Sequence, residues 1–119
     1  MEWKKHPFAP RTGETLCHIN ELEDGNVTPF SFGEGKEAFS MVVYKREEMI
    51  RAYWNLCPHF RIPLNKPGGG ILLYNDVLWC VHHSAEFRVE DGHCFSGPCQ
   101  SGALERIDLE QIDGELKIV

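Results

Sequence analysis

Long apolar runs are missing from this 119-residue chain. The two longest, Ile71–Tyr74 and Val77–Val81, fall far short of the roughly 20 residues a helix needs to cross a bilayer, so no membrane-spanning helix is expected. A positive surplus is missing too. The 12 Lys and Arg against 18 Asp and Glu leave a formal charge of −6, which argues against a general nucleic-acid binder and for a basic partner surface. No internal repeat, low-complexity tract or Gly/Ser-rich linker divides the chain, and its length suits one domain. Lys4 and Lys5 are followed by no apolar stretch, so the N-terminus does not read as a secretory signal and a cytoplasmic address is expected. Signatures of catalysis are lacking as well. No Ser/His/Asp grouping stands out, and Gly68-Gly69-Gly70 lacks the lysine and helix of a phosphate loop.

What is present is alternation of period two with β-branched and aromatic residues. Strands are expected at Leu16–Asn20, Val27–Phe32, Ala38–Tyr44, Met49–Asn55, Gly70–Tyr74, Val77–Val81, Glu86–Val89, Leu104–Leu109 and Glu115–Val119. Turn chemistry punctuates them at Asp24-Gly25-Asn26, Asn75-Asp76, Asp91-Gly92 and Asp113-Gly114. The last of these reads as the turn of a closing hairpin. A helix over Glu105–Gln111 suits the pattern less well than a strand. The fold class is therefore all-β, sandwich- or barrel-like, interrupted by a loop-rich insertion around Cys57–Gly70.

Five cysteines, Cys17, Cys57, Cys80, Cys94 and Cys99, are an odd number, and in a reducing compartment they read as ligands or free thiols before they read as a disulfide framework. Two segments stand out: Cys57-Pro58-His59 and Cys80-Val81-His82-His83. Each sets a thiol and an imidazole within a few residues of one another. A hairpin turning at Asn75-Asp76 would return the second segment to the side of the first, and four such ligands around one point suit zinc or an iron–sulfur cluster. A finger-type zinc site groups cysteine with cysteine and histidine with histidine. Here each segment mixes the two, which favours a two-iron cluster with thiolates on one iron and imidazoles on the other.

This C-x-H…C-x-x-H pattern resembles the signature of Rieske [2Fe–2S] proteins. Leu64 after the first motif, Phe87 after the second and a proline loop at Ser96-Gly97-Pro98 extend the resemblance from about Ala38 to the C-terminus. It is similar above all to the small soluble Rieske proteins, including the ferredoxins of oxygenase systems. The resemblance implies one [2Fe–2S] cluster per chain, with Cys57 and Cys80 on the inner iron and His59 and His83 on the outer. It implies a Rieske-like β-sandwich base, with a cluster-binding subdomain of about residues 56–87 inserted into it. The chain would then be an electron-transfer protein rather than an enzyme in its own right. Its partners would be an electron-donor reductase, such as a flavin reductase, and an electron-acceptor oxygenase or other oxidoreductase, its acidic stretches steering it to a basic face of either. The alternatives are a Rieske subunit within a larger oxidoreductase of the nitrite-reductase kind, a redox or iron sensor, and a structural zinc domain.

Departures from the pattern carry expectations of their own. The serine and tyrosine that donate to the cluster sulfurs in respiratory relatives match Ala85 and Phe87, which cannot donate, so a potential toward the low end of the Rieske range is expected. Arg61 and Ser84 stand where relatives usually have glycine, which leaves the geometry of both loops open. His82 is expected as an exposed imidazole beside a ligand. Cys17 is expected in the core, and Trp54 and Trp79 over the base of the cluster. Cys94 and Cys99 are either free thiols or a reversible disulfide beside the proline loop.

Overall fold

The structure, a computed structural model, describes residues 2–58, 61–66, 68–82, 84–98 and 102–119. Among these there is no α-helix, and ten strands form three antiparallel sheets. Strands β2 (Asn26–Phe32), β3 (Phe39–Arg46) and β4 (Met49–Trp54) make the middle sheet, with β3 at its centre. Strand β1 (Thr15–His18) pairs with β10 (Glu115–Ile118), which pairs in turn with β9 (Leu109–Ile112). The third sheet runs in chain order through β5 (Leu72–Tyr74), β6 (Val77–Trp79), β7 (Glu86–Arg88) and β8 (Cys94–Ser96).

The residue parity of β3 explains the layering. Side chains alternate across a strand, and both faces of β3 are apolar. Phe39, Met41 and Val43 pack with Ile107, Leu116 and Ile118 of the first core. Val42 and Tyr44 pack with Leu78, Phe87 and Cys94 of the second. The middle sheet is thus covered on both faces, and its edge strand β2 carries the exposed Pro29, which has no N–H to offer a neighbouring chain.

Two tyrosines tie the middle sheet to the third. The Tyr53 hydroxyl donates to the Val89 carbonyl at 2.7 Å, and the Tyr44 hydroxyl donates to Asp76 Oδ1 at 2.6 Å. Asp76 also pairs with Arg46. Asn75 and Asp76 both have positive φ, 51° and 59°, which is the backbone of the tight hairpin turn their residue types favour.

Eight of the nine expected strands are present, with limits shifted by one or two residues. The first ends at His18 and passes into a 3-10 turn over Ile19–Glu21. The stretch 104–108 is not a regular strand, and the closing hairpin pairs Leu109–Ile112 with Glu115–Ile118. Leu104 belongs to the second core and Ile107 to the first, so this segment crosses from one layer to the other and meets β4 through only one bridge, Tyr53 to Arg106.

Candidate metal centre

Strand β4 delivers Cys57 and strand β6 delivers Cys80, each at the mouth of a tight loop. The loops are built alike. The Cys57 N–H donates to the Ile62 carbonyl at 2.7 Å, and the Arg61 N–H donates back to the Cys57 carbonyl at 2.8 Å. In the second loop the Cys80 N–H donates to Ala85 at 2.9 Å and the Ser84 N–H to Cys80 at 3.0 Å. Arg61 and Ser84 close these loops at φ 58° and 57°, a left-handed conformation that a glycine would take without strain. Both cysteine side chains are fully buried, and Cys57 forms no disulfide.

The loops are joined to each other. The Val81 N–H donates to the Leu64 carbonyl at 2.9 Å, and His82 Nε2 lies 3.3 Å from the Asn65 carbonyl. The proline loop closes on the second loop at Gly97. A Cβ there would stand 2.8 Å from the Ala85 Cα, and φ is 101°, so only glycine lets the two backbones approach this closely.

Consecutive residues at the end of β4 grip the first loop from both sides. Asn55 is the buried polar side chain of the region, 3% exposed. Its Oδ1 accepts the Leu64 N–H at 2.9 Å, and its Nδ2 donates to Ser40 Oγ at 3.1 Å and to Asn65 Oδ1 at 2.8 Å. Trp54 faces the other way. Its ring stacks on Phe39 at 5.7 Å and 15°, and the Arg61 guanidinium carbon lies over it at 5.3 Å.

Of the four residues expected as ligands, Cys57 and Cys80 stand on adjacent, hydrogen-bonded loops, while His59 and His83 lie outside the described residues. Ala85 and Phe87 are fully buried beside the second loop. His82 is exposed, as expected. Trp54 packs into the first core and carries Arg61, rather than lying beneath the cysteines. The Trp79 indole N–H is buried with no acceptor among the described residues. Cys17 is a core residue whose thiol is pushed up by burial and by the nearby Glu21. Cys94 is a free, buried thiol donating to the Ser96 carbonyl at 3.3 Å, and Cys99 lies outside the described residues.

Sequence reasoning passed over Asn55 and Asn65. The signal was there: Tyr53 and Asn55 share a strand face, so an asparagine falls at a position whose parity points inward. Such a group is retained only where its hydrogen bonds are met.

Comparison with known proteins gives this geometry its context. Residues 14–112 match the family model of the Rieske [2Fe–2S] domain. The chain is similar to apoptosis-inducing factor 3 of Mus musculus, 32% identical over 78 residues; these make 66% of this chain but 12% of that protein. In fold it is similar to the ferredoxin of carbazole 1,9a-dioxygenase from Nocardioides aromaticivorans IC177. That match has a TM-score of 0.69 and 19% identity, and it covers 92% of this chain and 98% of the other. A second similar structure is the complex of reduced oxygenase and oxidized ferredoxin in carbazole 1,9a-dioxygenase. Its TM-score is 0.68 at 23% identity, and the match covers 89% of this chain and all of that one. The family model spans most of the sequence and takes in both cysteine loops and the sheets that carry them. The chain belongs to the Rieske [2Fe–2S] domain family.

Proposed function

We propose that this chain is a one-electron carrier passing electrons from a reductase, of the flavin kind, to an oxygenase or similar acceptor. Its [2Fe–2S] cluster would be held by Cys57 and Cys80 on one iron and by His59 and His83 on the other. The observation that carries this reading is the matched pair of loops, which brings two fully buried cysteines to one place by the same hydrogen bonds. That donor set fits the group. Two buried thiols suit an inner iron shielded from water, and the sequence supplies an imidazole to the first loop, His59, and two to the second, His82 and His83.

When bound, the cluster accepts one electron and gives it up again. The chain's own residues keep the two loops in register through Asn55 and the Leu64–Val81 bond, and Leu64, Phe87 and Cys94 bury the loops on the core side. By this reading residues 56–87 act as a cluster-binding subdomain set into the β base. One of the similar structures is itself a complex of a ferredoxin with an oxygenase, which supports an oxygenase as acceptor. A second reading, a Rieske unit working within a larger oxidoreductase, draws support from the mouse relative, in which the matching region is 12% of the protein.

Iron and acid-labile sulfide on anaerobically purified protein, with an EPR spectrum after dithionite, test the assignment. About two irons and two sulfides per chain are expected, lost in Cys57→Ser, Cys80→Ser, His59→Ala and His83→Ala and kept in Cys17→Ser, Cys94→Ser and His82→Ala. One zinc without sulfide would overturn it. A monomer at high dilution would favour the free carrier over the larger assembly.

A further inference from the structure

Acidic side chains are unevenly placed along this molecule. Strand β3 runs from Phe39, beside Trp54, to Arg46 at the far turn, a distance of roughly 25 Å. At the far end Asp24, Glu47, Glu48 and Lys45 meet around one groove with Ile19 and Asn20. Glu21, Glu23, Asp113 and Glu115 lie on the same turns; with Asp76, eight acids there face three bases, Lys45 paired with Asp24, Arg46 with Asp76 and Lys117 with Glu115. At the cysteine-loop end Lys36, Arg61 and Lys66 stand with Glu34, Glu37 and Glu86, three bases with three acids. The far turns are thus more acidic than the end that carries the cysteine loops.

Resting on the electron-carrier reading, we propose that the face around the first cysteine loop docks an electron-transfer partner through carboxylates set beside an apolar side chain. Arg61 bounds this face on one side and a groove holding Lys36 and His82 bounds it on the other. Arg61 is exposed, yet its guanidinium is fixed over Trp54, which is itself stacked on Phe39. A guanidinium lying over a ring still has N–H donors for a carboxylate, and part of the ordering cost of a long side chain is met before the partner arrives. Arg61 makes no ion pair among the described residues.

The groove, of about 620 Å³, has Ala38, Ile62 and Pro63 as apolar lining and Lys36, Asn65 and His82 at its polar edge. No carboxylate lines it among the described residues, Glu34 and Glu37 included. Ile62 belongs to the first cysteine loop and His82 to the second, so a side chain seated there touches both loops. Complementary charge at this face would select an acidic partner and orient it, opposite to what the net charge alone implies. The acidic far end would point away from it.

Protein-film voltammetry of the full, cluster-loaded chain on carboxylate-terminated and amine-terminated monolayers tests this, one electron passing between electrode and cluster. The carboxylate film stands in for an acidic partner. The expected result is rapid interfacial transfer on the carboxylate film and slow transfer on the amine film, to which the far end binds. Arg61→Gln and Lys36→Gln should each slow transfer on the carboxylate film by about threefold, Arg61→Lys should recover part of it, and Glu48→Gln should leave it unchanged. Faster transfer on the amine film, equal rates on both, or equal effects of Lys36→Gln and Glu48→Gln would overturn the proposal. Absence of iron and sulfide would instead sink the electron-carrier reading, and this inference with it.

Discussion

Arg61 and Ser84 occupy one conformation in two different loops. Each sits four residues after a buried cysteine, each has φ near 58° (58° and 57°), and each donates its amide to that cysteine's carbonyl. A left-handed backbone costs a non-glycine residue about 1–2 kcal/mol, and glycine's greater freedom in the unfolded chain returns part of that. Ser84→Gly should therefore stabilise the loaded protein by about 0.5–1 kcal/mol, a rise in thermal midpoint of roughly 2–5 °C. Arg61→Gly should gain less or lose stability, because the same change removes the guanidinium from Trp54. Melting curves of the two variants side by side check the difference, and an equal gain in both would mean the stack contributes nothing.

Asn55 meets the Leu64 N–H in a buried position. Asn55→Leu should cost about 2–3 kcal/mol, because it leaves that donor and the Ser40 and Asn65 partners unmatched. Visible absorbance of the cluster should decay several-fold faster in this variant than in the parent at the same temperature. Asn55→Asp keeps the acceptor for Leu64 but places a carboxylate against Asn65 Oδ1, and it should fall between the two.

Burial pushes the phenols of Tyr44 and Tyr53 from 10.0 up to about 12, with the bond to Asp76 adding to the effect at Tyr44. A phenol whose folded value is raised holds its proton more tightly folded than unfolded. Its contribution to stability is complete below pH 10, declines as pH rises toward 12 and is gone beyond that. Ultraviolet titration of phenolate should show Tyr44 and Tyr53 ionising late, near the alkaline unfolding transition. Tyr44→Phe and Tyr53→Phe should each remove one late step and flatten the alkaline loss. Each should also cost about 1 kcal/mol at neutral pH for the lost hydrogen bond.

Ala85 and Phe87 are fully buried beside the second loop and offer no hydroxyl. A potential of roughly −150 to 0 mV is expected, the low part of the Rieske range, because hydrogen bonds to the sulfurs favour the reduced state. Ala85→Ser and Phe87→Tyr should each raise it. Potentiometric titration followed by EPR gives the value, and a parent potential well above zero would contradict the expectation.

Much of this fold could be read from residue types. The turns at Asn75-Asp76 and Asp113-Gly114 have the positive φ values their sequences favour, and β3 was legible as an apolar strand. Its burial on both faces follows from apolar residues at both parities. The short strand Cys94–Ser96 was not legible, since three residues carry no periodicity and it pairs with β7 through an irregular register. In the stretch 104–109 Ile107 and Leu109 alternate like a strand, but Leu104 is of the other parity and serves the other core, which a local pattern does not reveal. At the site, the cysteines announced themselves by spacing. Asn55 and the seat of Arg61 did not, because both depend on the side from which β4 meets the loop.

Strand β3 lies between two cores and belongs to both. Neither outer layer can peel away without wetting one of its faces, so the two layers should not unfold in separate steps. In hydrogen exchange the amides of Met41 to Tyr44 should be the last to take up deuterium, opening only when the whole chain does. The first cysteine loop hangs from β4 of that sheet and the second from β6 of the third, so loss of the cluster need not begin with unfolding. The metal can depart from a scaffold that is still closed.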